Sequence, residues 1–207
     1  MAKIQKRPDL AVVALIGPTN LARISLASGL PVSTYEDCAS GAGAAVARNN
    51  AILAVVPDRG VALVGARAYR AEKGAWLIGL VPDGGPSDSV ATSNCRLNAA
   101  GCDEVLDGFT WHHQHATLCQ LSDVMICVGL SCGTLTEIAW TKWLRGPRVL
   151  ALRKTFESIP REILAETDVQ MIDDLAELDG ALRRELGMIA AGNRSPWAAG
   201  SQVGQES

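Results

Sequence analysis

Aromatic side chains are scarce. Phe, Trp and Tyr make up 4% of the residues although 48% are hydrophobic. Ala, Val, Leu and Ile must therefore fill the core, the aliphatic composition that buried parallel strands use. Positive charge is not in excess either. The chain has 19 Lys and Arg against 22 Asp and Glu, a formal net charge of −3, and no basic stripe. That weighs against a nucleic-acid partner, whose phosphates require a basic footprint. No apolar run is long. Leu10–Gly17 spans eight residues, well short of the roughly 20 that a membrane helix needs, so no membrane partner is expected. Lys3, Lys6 and Arg7 precede this run as in a leader peptide, but it stops at Pro18-Thr19-Asn20 without a small-residue cleavage pattern. The six cysteines (Cys38, Cys95, Cys102, Cys119, Cys127 and Cys132) contain no Cys-x-x-Cys pair. With this much core around them they read as reduced, mostly buried thiols of a cytoplasmic protein. No internal repeat is present.

What is present is alternation. A length of 207 residues suits one domain with a tail. Residues 1–190 are read as one nucleotide-binding α/β domain and 191–207 as a disordered tail rich in Ala, Gly, Ser and Gln. Apolar runs predict strands at Leu10–Ile16, Ala51–Val56, Trp76–Val81, Asp103–Leu106, Asp123–Val128, Arg148–Leu152 and Val169–Ile172. Helices are predicted at Leu21–Gly29, Cys38–Arg48, Val61–Lys73 with Gly74 as its stop, Thr110–Leu121 with Thr110 as N-cap, Thr134–Leu144 and Leu175–Leu186. The polar Pro82–Asn94 segment reads as a long surface loop. Strand–helix alternation implies a Rossmann-like, doubly wound parallel sheet with helices on both faces. Ligands of such sheets bind beyond the carboxyl ends of the strands. Gly17, Pro57–Gly60, Pro82–Gly85 and Gly129–Gly133 all fall there.

The strongest local signal is Val128-Gly129-Leu130-Ser131-Cys132-Gly133-Thr134-Leu135-Thr136-Glu137. A buried strand runs through a turn with two glycines straight into a helix. Free N–H groups and the helix dipole at such a start attract phosphate or carboxylate. Gly17, Gly129, Ser131, Cys132, Gly133 and Thr134 are candidate phosphate contacts. Glu137, one turn in, is the candidate catalytic residue, as a base or a holder of ribose hydroxyls. The same residues have a purely structural reading, because Thr134-x-x-Glu137 fits a capping box. Cys132, at a helix start, has a position that can activate a thiol. With no base beside it in sequence, it reads as a buried, inert one.

The segment from about Asp103 to Leu152 resembles the Lonely Guy phosphoribohydrolases and their wider nucleotide-binding superfamily, which includes molybdenum-cofactor carriers and DNA-processing proteins. The resemblance rests on Ser122-Asp123, the strand Val124–Val128, then Gly129, Gly133, Thr134 and Glu137, with weaker matches at Gly65-Ala66 and Gly79-Leu80-Val81-Pro82. It implies a nucleotide-like ligand, and, in an enzyme, hydrolysis of the N-glycosidic bond of a nucleoside 5′-monophosphate. The alternative it implies is a non-catalytic carrier or sensor of a nucleotide-like or molybdopterin-type cofactor. Two of the family's glycines are replaced by Leu130 and Ser131. Its catalytic arginine falls at Gln114, with His115 next to it, and its upstream glycine turn is reduced to Asp58-Arg59-Gly60-Val61. Of the enzyme's Glu/Arg pair only Glu137 is carried over.

All three histidines lie in Trp111-His112-His113-Gln114-His115. In an α-helix His112, His115 and Cys119 share one face, a spacing that suits a metal, a ligand contact or a plain helix start. His112 and His115 are candidate ligand contacts, and no metal ligand is assigned. Arg59, Asn94 and Arg96 follow strand ends, within reach of an anion or solvated. The helix Leu135–Leu144 carries Leu135, Ile138, Ala139, Trp140, Trp143 and Leu144 on more than one face. It therefore predicts a homo-oligomer, a dimer or a dimer of dimers, as in the superfamily, whose members pair through helices in this region.

Overall fold

The computed structural model describes residues 8–84 and 90–192. Lys3, Lys6, Arg7, the tail from residue 193 onward and part of the expected Pro82–Asn94 loop lie outside them.

Seven strands form one parallel sheet: β1 (Val12–Ile16), β2 (Ile52–Val55), β3 (Leu77–Leu80), β4 (Glu104–Leu106), β5 (Val124–Cys127), β6 (Arg148–Leu152) and β7 (Val169–Ile172), in the order β4-β3-β2-β1-β5-β6-β7. Among the described residues the α-helices are α1 (Leu21–Ser28), α2 (Val32–Arg48), α3 (Val61–Ala71), α4 (Val90–Ala99), α5 (Gln114–Leu121), α6 (Cys132–Leu144), α7 (Arg161–Glu166) and α8 (Leu175–Ala190). The sheet is doubly wound, as the alternation predicts. Alternate residues of β1 serve opposite layers. Val13 and Leu15 pack with residues of α2, α3 and α8, while Val12, Ala14 and Ile16 pack with Leu118 of α5 and Ile138 of α6. Both sets are apolar, which is why the strand reads as a continuous run.

The shortage of aromatics has a packing consequence. Helices α2 and α3 meet through Ala39, Ala42, Gly43 and Gly65. A Cβ on Gly43 would collide with the Gly65 carbonyl oxygen, so small residues let these two backbones approach closely. One of the few buried aromatics, Tyr69, acts as a polar clamp. Its hydroxyl donates to the Ala51 carbonyl at 2.8 Å and accepts from the Trp76 N–H at 2.9 Å.

Several elements differ from expectation. Helix α2 starts six residues early, after Pro31, whose fixed φ of −65° sets the chain direction there. The left-handed residue after α3 is Lys73 (φ 58°), not Gly74. Gly74 instead lies against the Tyr69 ring. Residues 90–94 are not loop but the first turn of α4. Thr92, Cys95 and Ala99 give it a narrow buried stripe. Asn94 bonds the Asp58 carboxylate at 2.8 Å, and Asn98 bonds the Pro57 and Asp58 carbonyls at 2.8 and 2.9 Å. Tertiary hydrogen bonds thus fix a helix that composition reads as loop. The predicted helix at Thr110 begins as a 3-10 turn, Trp111–His113, and Thr110 makes no side-chain cap. Helix α6 begins at Cys132, two residues early, and α8 continues to Ala190.

Candidate functional site

Strand order places the site. From β1 the chain builds outward one way to β4 and the other way from β5 to β7, so the winding reverses between β1 and β5. Such a reversal leaves a crevice at the carboxyl ends of the two strands. A cavity of about 430 Å³ lies there, lined by Gly17 after β1, Asp58 after β2, Trp111, Gln114 and His115 around the start of α5, and Ser131–Thr134 with Glu137 on α6.

The floor of the turn after β5 is built by Gly129. Its φ of 77° is left-handed, and a Cβ would stand 2.9 Å from the Tyr35 ring, so glycine is required there. Its N–H donates to Thr155 Oγ1 at 2.7 Å. Gly129 therefore shapes the turn and has no N–H to offer a ligand, which corrects its expected role as a phosphate contact. Ser131 is the N-cap of α6. Its Oγ accepts from the Thr134 N–H at 3.2 Å and lies 2.9 Å from Thr134 Oγ1. The N–H groups of Cys132 and Gly133, in the first turn of α6, have no acceptor within the helix, and both residues line the cavity.

This cap removes the capping-box reading of Thr134 and Glu137. Glu137 is 8% exposed, and its Oε1 lies 3.2 Å from His115 Nδ1. Burial pushes its carboxyl above the ordinary value, and the hydrogen bond and charge of His115 only partly offset that. With Nδ1 facing Glu137, His115 Nε2 remains for a ligand. Folding thus disfavours the charged form of Glu137 relative to the unfolded chain, and the associated stability is lost as pH rises above 4.5, the ordinary value, through the raised one. Glu137→Gln keeps a partner for His115 without the buried charge. Its melting temperature is expected to match wild type near pH 4 and to exceed it by several degrees at pH 7. A pH-independent difference between the two curves would contradict this.

His112 is exposed in the 3-10 turn and does not line the cavity. His113 Nδ1 pairs with Thr110 Oγ1 at 2.9 Å. Cys119 is buried, with Sγ 3.2 Å from the Glu137 carbonyl oxygen, and burial followed by the Glu137 charge pushes its thiol up to about 12. The His112–His115–Cys119 face therefore does not form. Cys132, read as buried, is exposed at the cavity wall. Arg96 pairs with Asp83 at 3.1 Å, and Arg59, outside the cavity, lies 3.7 Å from Asp58. Asp123, part of the family-like motif, accepts the Val12 N–H at 2.9 Å and starts the sheet rather than serving the site.

Two residues were not among the expected contacts. Asp58, 3% exposed, lines the cavity, with its Oδ1 accepting from the Asn94 amide at 2.8 Å, and its position just past the end of β2 was the available signal. Gln114 is 3% exposed, lines the cavity, and its side-chain amide has no hydrogen-bond partner among the described residues. No lysine or arginine lines the cavity among the described residues. Among the described residues the walls carry two carboxyl groups and several hydroxyls, and the start of α6 is electropositive.

The sequence model of the SLOG cluster4 family matches residues 12–178, from the first residue of β1 into α8. The chain belongs to the SLOG cluster4 family. No curated protein matches it significantly. Among solved structures, this SLOG cluster4 chain is similar to the Moco carrier protein from Chlamydomonas reinhardtii at 18% identity and TM-score 0.64, covering 86% of this chain and 98% of that one. It is similar to the molybdenum cofactor binding protein from the phototrophic bacterium Rippkaea orientalis at 17% identity and TM-score 0.63, over 84% and 96% of the two chains. DNA processing protein A from Helicobacter pylori, studied for its single-stranded DNA binding, matches at 14% identity and TM-score 0.61, over 84% and 81%. These likenesses establish the fold and agree with the superfamily resemblance read from Gly129 to Glu137. No described helix is long and apolar enough to cross a membrane.

Proposed function

We propose that this SLOG cluster4 chain is a non-catalytic carrier or sensor of a nucleotide-like ligand, with a molybdopterin-type cofactor among the candidates. The observation that carries this reading is the cavity wall around Gln114. A neutral amide stands where the resemblance places the hydrolases' arginine, and among the described residues no lysine or arginine lines the cavity to replace it. A ligand with a phosphate at one end and a nitrogen heterocycle at the other fits the residues. The N–H groups of Cys132 and Gly133 suit the phosphate, and the Asp58 carboxylate, on the other side of Gly17, suits a ring N–H. A pterin phosphate has both features. The carriers among the structural neighbours support this reading, and the net charge of −3 disfavours the DNA alternative.

The retained Glu137, beside His115, is the one feature that favours hydrolysis. Incubating the protein with a panel of nucleoside 5′-monophosphates separates the readings. The carrier account expects binding without release of free base. Release over many turnovers would establish the hydrolase.

Self-association is part of the proposal. Trp143 on α6 is 71% exposed, with the Lys142 ammonium 4.9 Å from its ring centroid. A second copy covering this face would account for a large aromatic left in water. Sedimentation at micromolar concentration is expected to show a dimer or larger, and Trp143→Glu to shift it toward monomer. A monomeric wild type would contradict this.

A further inference from the structure

We propose that Gln114, together with Trp111, reads the edge of a planar nitrogen heterocycle inside the cavity, so that this SLOG cluster4 chain selects its ligand by a neutral ring rather than by phosphate. This deepens the carrier reading and rests on it.

A glutamine side chain offers both an acceptor oxygen and a donor NH₂, and buried polar groups are nearly always paired. Gln114 is 3% exposed, yet no protein group bonds its amide among the described residues. No buried side-chain nitrogen or oxygen among the described residues is sealed without a partner. The Gln114 amide is therefore open to the cavity it lines. A group able to satisfy it must carry an adjacent donor and acceptor. The dianion of a phosphate monoester carries only acceptors, whereas the lactam or amidine edge of a purine or pterin has both a donor and an acceptor.

Trp111 supplies the second half. It stands three residues before Gln114, at the head of the 3-10 turn, where residues i and i+3 fall on the same side. Both line the cavity. A flat apolar ring beside an amide suits a planar heterocycle, stacked on the indole and bonded along its edge. Substituting glutamine for arginine at this position replaces a fixed cation by a two-way hydrogen-bonding group. With no lysine or arginine lining the cavity among the described residues, the start of α6 is what provides for an anion.

The test is calorimetry with guanosine, inosine, adenosine, neopterin, ribose 5-phosphate and inorganic phosphate, on wild type, Gln114→Leu and Gly133→Val. The expected result is that at least one neutral ring compound binds wild type more tightly than ribose 5-phosphate does. Gln114→Leu should weaken that compound by about 10- to 100-fold and leave ribose 5-phosphate unchanged. Its melting temperature without ligand should be equal to wild type or higher, because leucine replaces an unpaired amide with an apolar group of similar size. A lower melting temperature would mean that the amide has a structural partner and would overturn the proposal. Ring compounds bound equally by wild type and Gln114→Leu would overturn it while leaving the cavity assignment intact, provided Gly133→Val still weakens ribose 5-phosphate. Binding of none of the six compounds to wild type would overturn both.

Discussion

Gly133→Val is expected to abolish ligand loading while the fold persists. A Cβ on Gly133 meets only His115 Cε1 at 3.5 Å and Ser131 Oγ at 3.8 Å, ordinary contacts that require no rearrangement. The φ of Gly133 is not left-handed, and valine in a helix is slightly more favourable than glycine. The branched methyl groups would project from the first turn of α6 into the space a phosphate needs to reach the N–H groups of Cys132 and Gly133. Loss of charge-assisted bonds worth about 2–3 kcal/mol corresponds to roughly 30- to 150-fold in affinity. The melting temperature of the ligand-free protein should stay within a degree or two. Gly129→Val makes a useful contrast. It combines a left-handed φ of 77° with a clash against Tyr35, so it should damage the fold itself. If Gly133→Val binds as well as wild type, the start of α6 is not the phosphate site.

The largest stability effect is expected at Arg148, away from the cavity. Its Nε lies 3.1 and 3.0 Å from the two Asp168 carboxylate oxygens, and its Nη1 lies 2.6 Å from Glu185 Oε1. One guanidinium thereby ties the start of β6 to the approach to β7 and to α8. Burial works against its charge, but Asp168 and Glu185 outweigh that and hold its pKa above the ordinary value. Arg148→Met would leave Glu185, 6% exposed, without its counter-charge. Breaking a buried pair in this way costs about 3–5 kcal/mol, or a melting temperature lower by roughly 6–20 °C. Adding Glu185→Leu should recover much of the loss, since apolar replacement of a whole buried pair is often neutral. A single Arg148→Met variant within 2 °C of wild type, a bound well under the expected shift, would show that the cluster is solvated and contributes little.

Much of the fold was legible because its strands are continuous apolar runs. β6 and β7 fall at the residues the pattern predicts, Arg148–Leu152 and Val169–Ile172: β6 is fully buried past Arg148, and the edge strand β7 keeps three apolar residues around Gln170. Helix α4 was not legible. Its stability comes from Asn94 and Asn98 bonding the loop around Asp58, contacts between segments about 40 residues apart that composition cannot reveal.

The site was legible in outline only. The turn from Gly129 to Glu137 stands out through its glycines, but two overlapping patterns compete for the helix cap. Ser131-x-x-Thr134 and Thr134-x-x-Glu137 are both plausible on paper. Ser131 takes the cap and frees Glu137 to turn inward toward His115. His112 lies in the exposed part of the 3-10 turn ahead of α5, and three histidines within four residues do not reveal which of them faces inward. Asp58 does not stand out in the sequence, because an aspartate beside Arg59 in a Pro/Gly turn resembles solvated loop charge. Its burial depends on α4, which was itself unread. The unpaired state of Gln114 depends on what surrounds it in space, and no sequence spacing reports that.

The central claim is that the crevice between β1 and β5 holds a nucleotide-like ligand without consuming it. Native mass spectrometry of purified wild type and Gly133→Val, followed by identification of the released small molecule, tests it most directly. The account predicts a stoichiometric ligand with a phosphate and a nitrogen heterocycle on wild type, intact after prolonged incubation, and an empty Gly133→Val protein of unchanged fold. Equal loading of both proteins, or conversion of the wild-type ligand into free base and ribose phosphate, would contradict it.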